Sequence, residues 1–420
     1  MPSATDPRAL PEEVEVAIVG GGPAGLAAAT RLRERGIASV AVLDREPAAG
    51  GIPRHCGHFP FGLREFHRLL RGPDYASRLV ARAAAAGAAI HTGATVVGIA
   101  PGPRLLLSTA GGRGELAARR VLLATGVRET SRAARLIGGD RPLGVVSTGA
   151  LQSLVYLGGK RPFRRPVILG TELVSFSALL TCRHAGIRPV AMVEANPRIT
   201  ARRFAAALPR LLGIPLHLET ELVAIHGSPR VEGVTLQRAD GSALEIEADG
   251  VVVTGAFTPE ATLARLGHIA LDAGSGGPAV DQHGRCSDGD FFAAGNILRP
   301  VETAGWSWQE GIAAGDALAD SLAGRLPPAE RLVKVVAANP AIKLALPQRL
   351  ALPARPDGMT HLQLRLARAV RGRLVVRDAG GAVWQQPLDS LPERRLLVPL
   401  KGFIDRISGD TLTLSIVEQA

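Results

Sequence analysis

Apolar positions along the chain come in short runs separated by glycines and by helical stretches. Val14 to Val19 is apolar and ends in glycines; Pro23 to Arg35 is alanine-rich with a helical period; Ser39 to Leu43 is apolar again. Strand, helix, strand in that order predicts a β-α-β unit. Gly50 to Gly72 is polar and rich in Gly, Pro and His, too irregular for one element, and Pro73 to Ala86 reads as a helix. Thr95 to Ile99, Leu105 to Thr109 and Val121 to Ala124 read as strands. The pattern then repeats: strand Val167 to Leu169, helix Leu173 to His184, strand Val190 to Val193, with Gly250 to Thr254 closing the second unit. Phe291 to Ala294 and the helix Gln309 to Leu322 complete the first one.

Past a Pro-containing linker, Gly324 to Glu330, the period changes to two. Leu362 to Leu366, Arg373 to Arg377, Ala382 to Gln386, Arg395 to Pro399 and Thr411 to Val417 alternate like strands, and Asp378 to Gly381 has hairpin-turn chemistry. The expected domains are therefore residues 1–150, an inserted 151–256, a return over 257–325, and a small, mostly β domain over 331–420 that carries no catalytic motif and suits an interaction role.

Composition narrows the class. The chain has 420 residues, 46% hydrophobic, enough for two or three packed domains. No apolar run approaches the roughly 20 residues of a membrane span, and Met1 to Glu13 lacks a secretory pattern. A cytoplasmic location is expected, with any membrane association made through partners. The net charge is +11, but no basic run is interleaved with aromatics, so nucleic acid is not an expected partner. The three cysteines, Cys56, Cys182 and Cys286, form no close pair, which argues against a disulfide framework, a metal site or an iron–sulfur cluster on this chain.

Candidate chemistry begins at Gly20, Gly22 and Gly25, a G-x-G-x-x-G between strand and helix. The first glycine permits the tight turn, the second lets a pyrophosphate approach the backbone, and the third lets helix and strand pack closely. The helix N-terminus then offers free N–H groups to phosphate. Asp44 ends the following strand, where a carboxylate grips a ribose hydroxyl.

Two later segments, Ala124-Thr125-Gly126 at a strand end and Phe291 to Asn296 (FFAAGN), extend the pattern. With them, residues 14–325 resemble the pyridine nucleotide–disulfide oxidoreductase superfamily, the group of glutathione and thioredoxin reductases. The resemblance implies an α/β fold: an FAD-binding Rossmann-like domain with an inserted second Rossmann-like domain, here followed by the β-rich tail. It implies FAD as cofactor, contacted by Gly20, Gly22, Gly25, Asp44, Arg45, Gly51, Arg54, Val96, Thr125, Gly126, Gly295 and Asn296. In that family the late motif ends Gly-Asp, the acid binding the ribityl chain; here it is Gly295-Asn296.

The second β-α-β unit should carry the NAD(P)H fingerprint. Gly170 holds the first position, but Glu172 and Ser175 replace the other two glycines. A glutamate there adds bulk and a negative charge facing phosphates, at a cost of about 4 kcal/mol per charge pair ~4 Å apart at an effective dielectric near 20. The alternative is that Glu172 turns outward and a distorted site survives. Val301 to Gly311 (VETAGWSWQEG) resembles the FAD subunits of heteromeric amine- and opine-type dehydrogenases, the hydrogen cyanide synthase, opine oxidase and D-hydroxyproline dehydrogenase groups. That resemblance implies a second flavoprotein subunit and a small [2Fe–2S] protein as partners. Some of those subunits end in a cysteine-rich cluster-binding domain, and this C-terminal region has no cysteine.

After Gly50-Gly51, where related reductases carry paired redox cysteines, stand Arg54, His55, Cys56 and His58. Neighbouring positive charge lowers a thiol pKa, and histidine moves protons near neutral pH. His55, Cys56 and His58 are thus the candidate catalytic residues beside the flavin, with a histidine as base; equally, the segment can shape a flavin pocket or a subunit contact. The expected function is an FAD-dependent oxidoreductase subunit that oxidises a small amine, imino acid or hydroxy substrate, or relays its electrons. A self-contained NAD(P)H-dependent reductase and a non-catalytic FAD-stabilised scaffold are the alternatives.

Overall fold

The computed structural model describes residues 10–327, 330–354 and 358–418. The first residues of the N-terminal segment and positions 328 and 329 of the linker lie outside that range. The chain forms two compact units: one contains the chain up to Gly51, Ala76–Val127 and everything from Pro259 on, the other Ile52–Tyr75 and Arg128–Thr258. The second unit thus opens at Arg128, ahead of the expected residue 151, and takes in the irregular segment after Gly51.

In the first unit, strand Glu13–Val19 lies between the parallel strands Val40–Asp44 and Gly112–Leu123, with Ala89–Thr92 outside Val40–Asp44. Strand Gly112–Leu123 is longer than the Val121 to Ala124 segment read from sequence, because its first half forms an antiparallel meander with Arg104–Thr109 and Thr95–Ala100. Strand Phe291–Ala293 pairs in parallel with its second half, at Val121 to Leu123. The chain therefore returns to complete the first sheet. Helix Pro23–Glu34 packs against helix Ala304–Leu322 with the backbones almost in contact: a Cβ on Gly311 would stand 2.1 Å from the Ala24 carbonyl oxygen, and one on Gly315 2.9 Å from Arg31 Cβ. Arg35 bonds Asp316 at 2.5 Å and Asp320 at 2.7 Å across the same seam.

The C-terminal region of this unit is a sandwich. A five-stranded sheet runs Arg349–Leu352, Arg331–Ala337, Thr411–Glu418, Val370–Asp378, Gly381–Ser390, and a three-stranded one Ile342–Leu346, His361–Leu366, Leu396–Pro399. Alternate residues of both fill one apolar core, including Val333, Leu350, Leu364, Leu374, Val398 and Leu414. Asp378 pairs with Gly381 around the expected hairpin turn. The sandwich is tied to the return segment: Gln348 exchanges two hydrogen bonds with the Val280 backbone, and Gln282 two with the Ala351 backbone.

The second unit repeats the plan. Its parallel sheet runs Leu216–His217, Ala191–Val193, Pro166–Leu169, Gly250–Val253, Val145–Ser147, beside a meander of Thr220–His226, Gly233–Arg238 and Ala243–Glu247. Among the described residues no helix is long and apolar enough to cross a membrane.

Candidate functional site

Each glycine of the first motif meets the demand of its position. Gly20 has φ +111° and a Cβ there would lie 2.4 Å from the Ala124 carbonyl oxygen; a Cβ on Gly25 would lie 2.0 Å from the Gly20 carbonyl oxygen. Neither position admits a side chain. Gly22 differs: its Cβ would meet nothing nearer than Gly51 Cα at 3.9 Å, so this face is open to an approaching phosphate. Pro23 opens the helix and no side chain caps it, leaving the first-turn N–H groups for an anion. Gly51, at φ +62°, lies against Gly22, where a Cβ would come within 2.8 Å of Gly22 Cα.

Asp44 is buried at the end of its strand. Oδ2 accepts the Gly21 N–H at 3.0 Å and Oδ1 the Glu46 N–H at 2.9 Å, which fixes the carboxylate beside the glycine turn. Thr125 donates to the Glu260 carbonyl at 2.6 Å, and Gly126, φ +75°, has no atom within 4 Å of a would-be Cβ. Gly295, φ +79°, abuts Ala24. The Asn296 side chain clamps the following turn, donating to the Glu302 carbonyl at 3.1 Å and accepting the Glu302 N–H at 2.8 Å; one N–H and one lone pair remain for a ligand hydroxyl. Val96 is half-buried in its strand and Arg45 is exposed. A bare pyrophosphate approach, an uncapped helix and a fixed carboxylate fit FAD.

The second motif fails at two places in the same chain. Ser175, at the third glycine position, is fully buried with its hydroxyl 2.5 Å from Thr254 Oγ1, so a hydroxyl stands where the first fold needs bare backbone. Glu172 does not turn outward. Its Oε1 accepts the Ala256 N–H at 2.7 Å, and the carboxylate covers Gly255, whose Cβ would fall 2.3 Å from it. The Glu172 charge acts on Arg135, which donates at 2.6 Å to the Thr254 and Gly255 carbonyls.

Sequence reasoning missed Glu194. It ends strand Ala191–Val193 at the spacing from Gly170 that separates Asp44 from Gly20, and that repeated spacing could have found it. Its carboxylate is saturated by its own loop and the glycine turn: Thr171 and Thr200 hydroxyls donate to Oε2, the Asn196 backbone and side-chain N–H groups to Oε1. Four donors match the roughly four lone-pair sites of a carboxylate.

The segment after Gly51 packs within the second unit. Ile52–His55 is a short 3-10 turn; Arg54 and His55 are half-buried. His55 Nδ1 is 3.2 Å from the Gly149 carbonyl and His58 Nδ1 2.9 Å from the Phe59 carbonyl, so in both rings Nδ1 is the donor. The expectation that positive neighbours lower the Cys56 thiol is overturned. Burial, followed by the Glu129 charge, pushes it up to about 12. The thiol lies 3.4 Å from the Ile52 carbonyl and 3.5 Å from Gln152 Oε1, as a hydrogen-bond donor. All three cysteines are buried and free.

The pyridine nucleotide-disulphide oxidoreductase family model matches residues 14–314. The chain belongs to this family. It is an FAD-dependent oxidoreductase. It is 28% identical over 347 residues to a dihydrolipoyl dehydrogenase of Pseudomonas aeruginosa, covering 73% of this chain and 70% of that one. It is 29% identical over 258 residues to a ferredoxin–NADP reductase of Salinispora arenicola, covering 59% and 75%. In fold it is similar to T. acidophilum thioredoxin reductase (TM-score 0.63, 23% identity, 74% of this chain and 99% of that one). It is also similar in fold to L-proline dehydrogenase from P. horikoshii (TM-score 0.56, 17% identity, 75% and 58%).

Proposed function

We propose that this chain is the FAD-carrying subunit of a multi-subunit dehydrogenase whose electrons do not come from NAD(P)H. It oxidises a small amine, imino acid or hydroxy substrate, or relays the electrons of a second flavoprotein subunit, with a small [2Fe–2S] protein as a further partner. The observation that carries this reading is Glu172: it takes the position of the phosphate-facing second glycine, and its carboxylate accepts the Ala256 N–H and covers Gly255 at the neighbouring strand end. The saturated Glu194 supports it, since no lone pair is left for a ribose hydroxyl.

FAD, when bound, supplies hydride and single-electron acceptance. The chain's own contribution is binding and proton handling. The Gly22 face and the uncapped helix Pro23–Glu34 receive phosphate, and Asp44 orients a ribose. His55, with Nδ1 3.2 Å from the Gly149 carbonyl, and His58 are the candidate groups to take a substrate proton. Cys56, raised to about 12, stays a neutral thiol at physiological pH and acts without a disulfide partner.

The test is anaerobic stopped-flow of the purified native complex. Slow bleaching by NADH and NADPH, fast bleaching on adding an amine, imino acid or hydroxy acid substrate, and co-purification of a second redox subunit are expected. Fast bleaching of the isolated chain at micromolar NAD(P)H would replace this reading with a self-contained reductase. One observation favours that second reading: a cavity of about 220 Å³ stays open at the strand ends of the second fold, lined by Gly170, Thr171, Glu194 and Asn196. Two curated relatives, named for dihydrolipoyl and ferredoxin–NADP chemistry, are consistent with it.

A further inference from the structure

The inserted unit carries an outward face that neither glycine motif accounts for. The 3-10 turn Arg203–Ala206 runs straight into helix Ala207–Leu211. Its inner side is anchored: Pro209 is buried, and Ala205, Ala206, Leu208 and Leu212 pack against the core cluster that contains Leu179 and Ile199. Its outer side repeats at helical spacing. Phe204, Ala207 and Leu211 stand in one exposed row, with Arg203 and Arg210 beside it and Arg202 at its start. Phe204 is 76% and Leu211 82% exposed, so the segment is apolar on both sides while only the inner side has a partner within the chain.

The chemistry of the outer side is one-sided. From Ala195 to Leu218 the sequence contains four arginines and no acidic residue. Arg202, Arg203 and Arg210 are exposed and make no ion pair or side-chain hydrogen bond among the described residues. The face therefore presents guanidinium donors and hydrocarbon, without one acceptor side chain. A specific protein contact surrounds its apolar centre with a polar rim in which donors and acceptors are paired. A lipid surface supplies what this face lacks and nothing else: phosphate acceptors in one layer and hydrocarbon directly beneath. Long arginine stems let the charges stay at headgroup level while the apolar row goes deeper. The net charge of +11 adds long-range attraction to an anionic surface.

We propose that the face of Arg202, Arg203, Phe204, Arg210 and Leu211 docks this chain on an anionic lipid surface, with Phe204 and Leu211 entering the boundary between headgroups and acyl chains and the arginines pairing with lipid phosphates. The contact is made by this chain itself, without a partner subunit, and is independent of the source of the flavin's electrons.

The experiment is co-sedimentation of the flavin-loaded full chain with vesicles of phosphatidylcholine alone and of phosphatidylcholine mixed with phosphatidylglycerol. Partition into the mixed vesicles is expected, about tenfold or more stronger than into the neutral ones. Phe204→Ser combined with Leu211→Ser keeps every charge and lowers partition by about tenfold or more. Arg202→Gln, Arg203→Gln and Arg210→Gln together lower it by about a hundredfold, about fivefold for each arginine. The same change at Arg104, Arg371 and Arg373, which are exposed elsewhere, lowers it less than about threefold. In a Phe204→Trp variant, brominated lipid quenches the added fluorescence. Flavin absorbance reports folding of each variant. No partition into the mixed vesicles, partition unchanged by the two serines, equal loss from the two arginine triples, or an unquenched Phe204→Trp variant overturns the proposal. So does binding of poly-L-glutamate without partition into vesicles, which assigns the face to an acidic protein instead.

Discussion

The Glu172 carboxylate accepts the backbone N–H of Ala256 at 2.7 Å, which holds an acidic group over the turn closing the second dinucleotide fold. The corresponding position of the first fold, Gly22, is bare and open. Replacing Glu172 by Gly therefore removes both charge and bulk from that mouth. NADH should then reduce the bound flavin at least tenfold faster than in the parent chain, measured by anaerobic stopped-flow at fixed NADH. Ser175 and the saturated Glu194 remain, so recovery should stop well short of an efficient reductase. An unchanged rate would mean that Glu172 is not what blocks the nucleotide.

Gly22 and Gly25 separate phosphate approach from helix packing. Gly25→Ala drives a methyl group into the Gly20 carbonyl, 2.0 Å away, and overpacking of this kind costs about 1–3 kcal/mol. Gly22→Ala meets only Gly51 at 3.9 Å and should fold with nearly native stability while losing FAD affinity. Urea denaturation of the apoproteins and flavin retention on gel filtration check the two outcomes. Equal stability loss in both variants would contradict the division of roles.

How much of this was legible in the sequence depended on whether the information was local. The glycine spacings, Asp44 and the hairpin at Asp378–Gly381 are properties of neighbouring residues, and all were readable. Three strands, Arg331–Ala337, Ile342–Leu346 and Arg349–Leu352, were not read, although they begin the sandwich. Helix Ala304–Leu322 starts five residues before the Gln309 expected; Thr303, a residue type that favours the N-cap, holds that position. The Cys56 environment was misread for a different reason. Arg54, His55 and His58 are neighbours in sequence, but burial and Glu129, from a distant strand, set the thiol. The Arg299–Glu302–Arg365 cluster likewise joins residues from two domains that no spacing rule connects.

Cys56 and Cys182 are each pushed up to about 12 by burial, from an ordinary value of 9.0. A folded pKa above the unfolded one means that the unfolded chain holds fewer protons once pH exceeds about 9. Stability is then fully present below that pH and falls as pH rises toward 12, by up to ~1.4 kcal/mol per pH unit for each thiol. The urea midpoint should drop between pH 9 and pH 10.5, and the drop should be shallower in Cys56→Ala. Iodoacetamide should leave Cys56 unmodified at neutral pH in the native chain; rapid alkylation there would show an accessible thiolate.

Glu302 accepts from Arg365 and forms a 3.8 Å ion pair with Arg299; the three side chains are 7%, 9% and 1% exposed. Removing one partner of a buried ion pair typically costs about 3–5 kcal/mol, because the remaining charge loses its compensation. Glu302→Gln should destabilise the chain by roughly that amount, read from equilibrium unfolding. A loss under about 1 kcal/mol, the usual worth of an exposed pair, would mean that water reaches the cluster.

The contact of Gly311 with Ala24 has a consequence for biosynthesis. The helix that follows the first glycine motif is braced by a helix that leaves the ribosome some 280 residues later, and the central sheet waits as long for strand Phe291–Ala293. The inserted unit is complete by Thr258 and can fold while the FAD fold is still unfinished. Nascent chains stalled before Phe291 should therefore expose an unpaired edge on strand Gly112–Leu123, making cofactor capture a late event in synthesis and the interval before it the period of greatest need for chaperones.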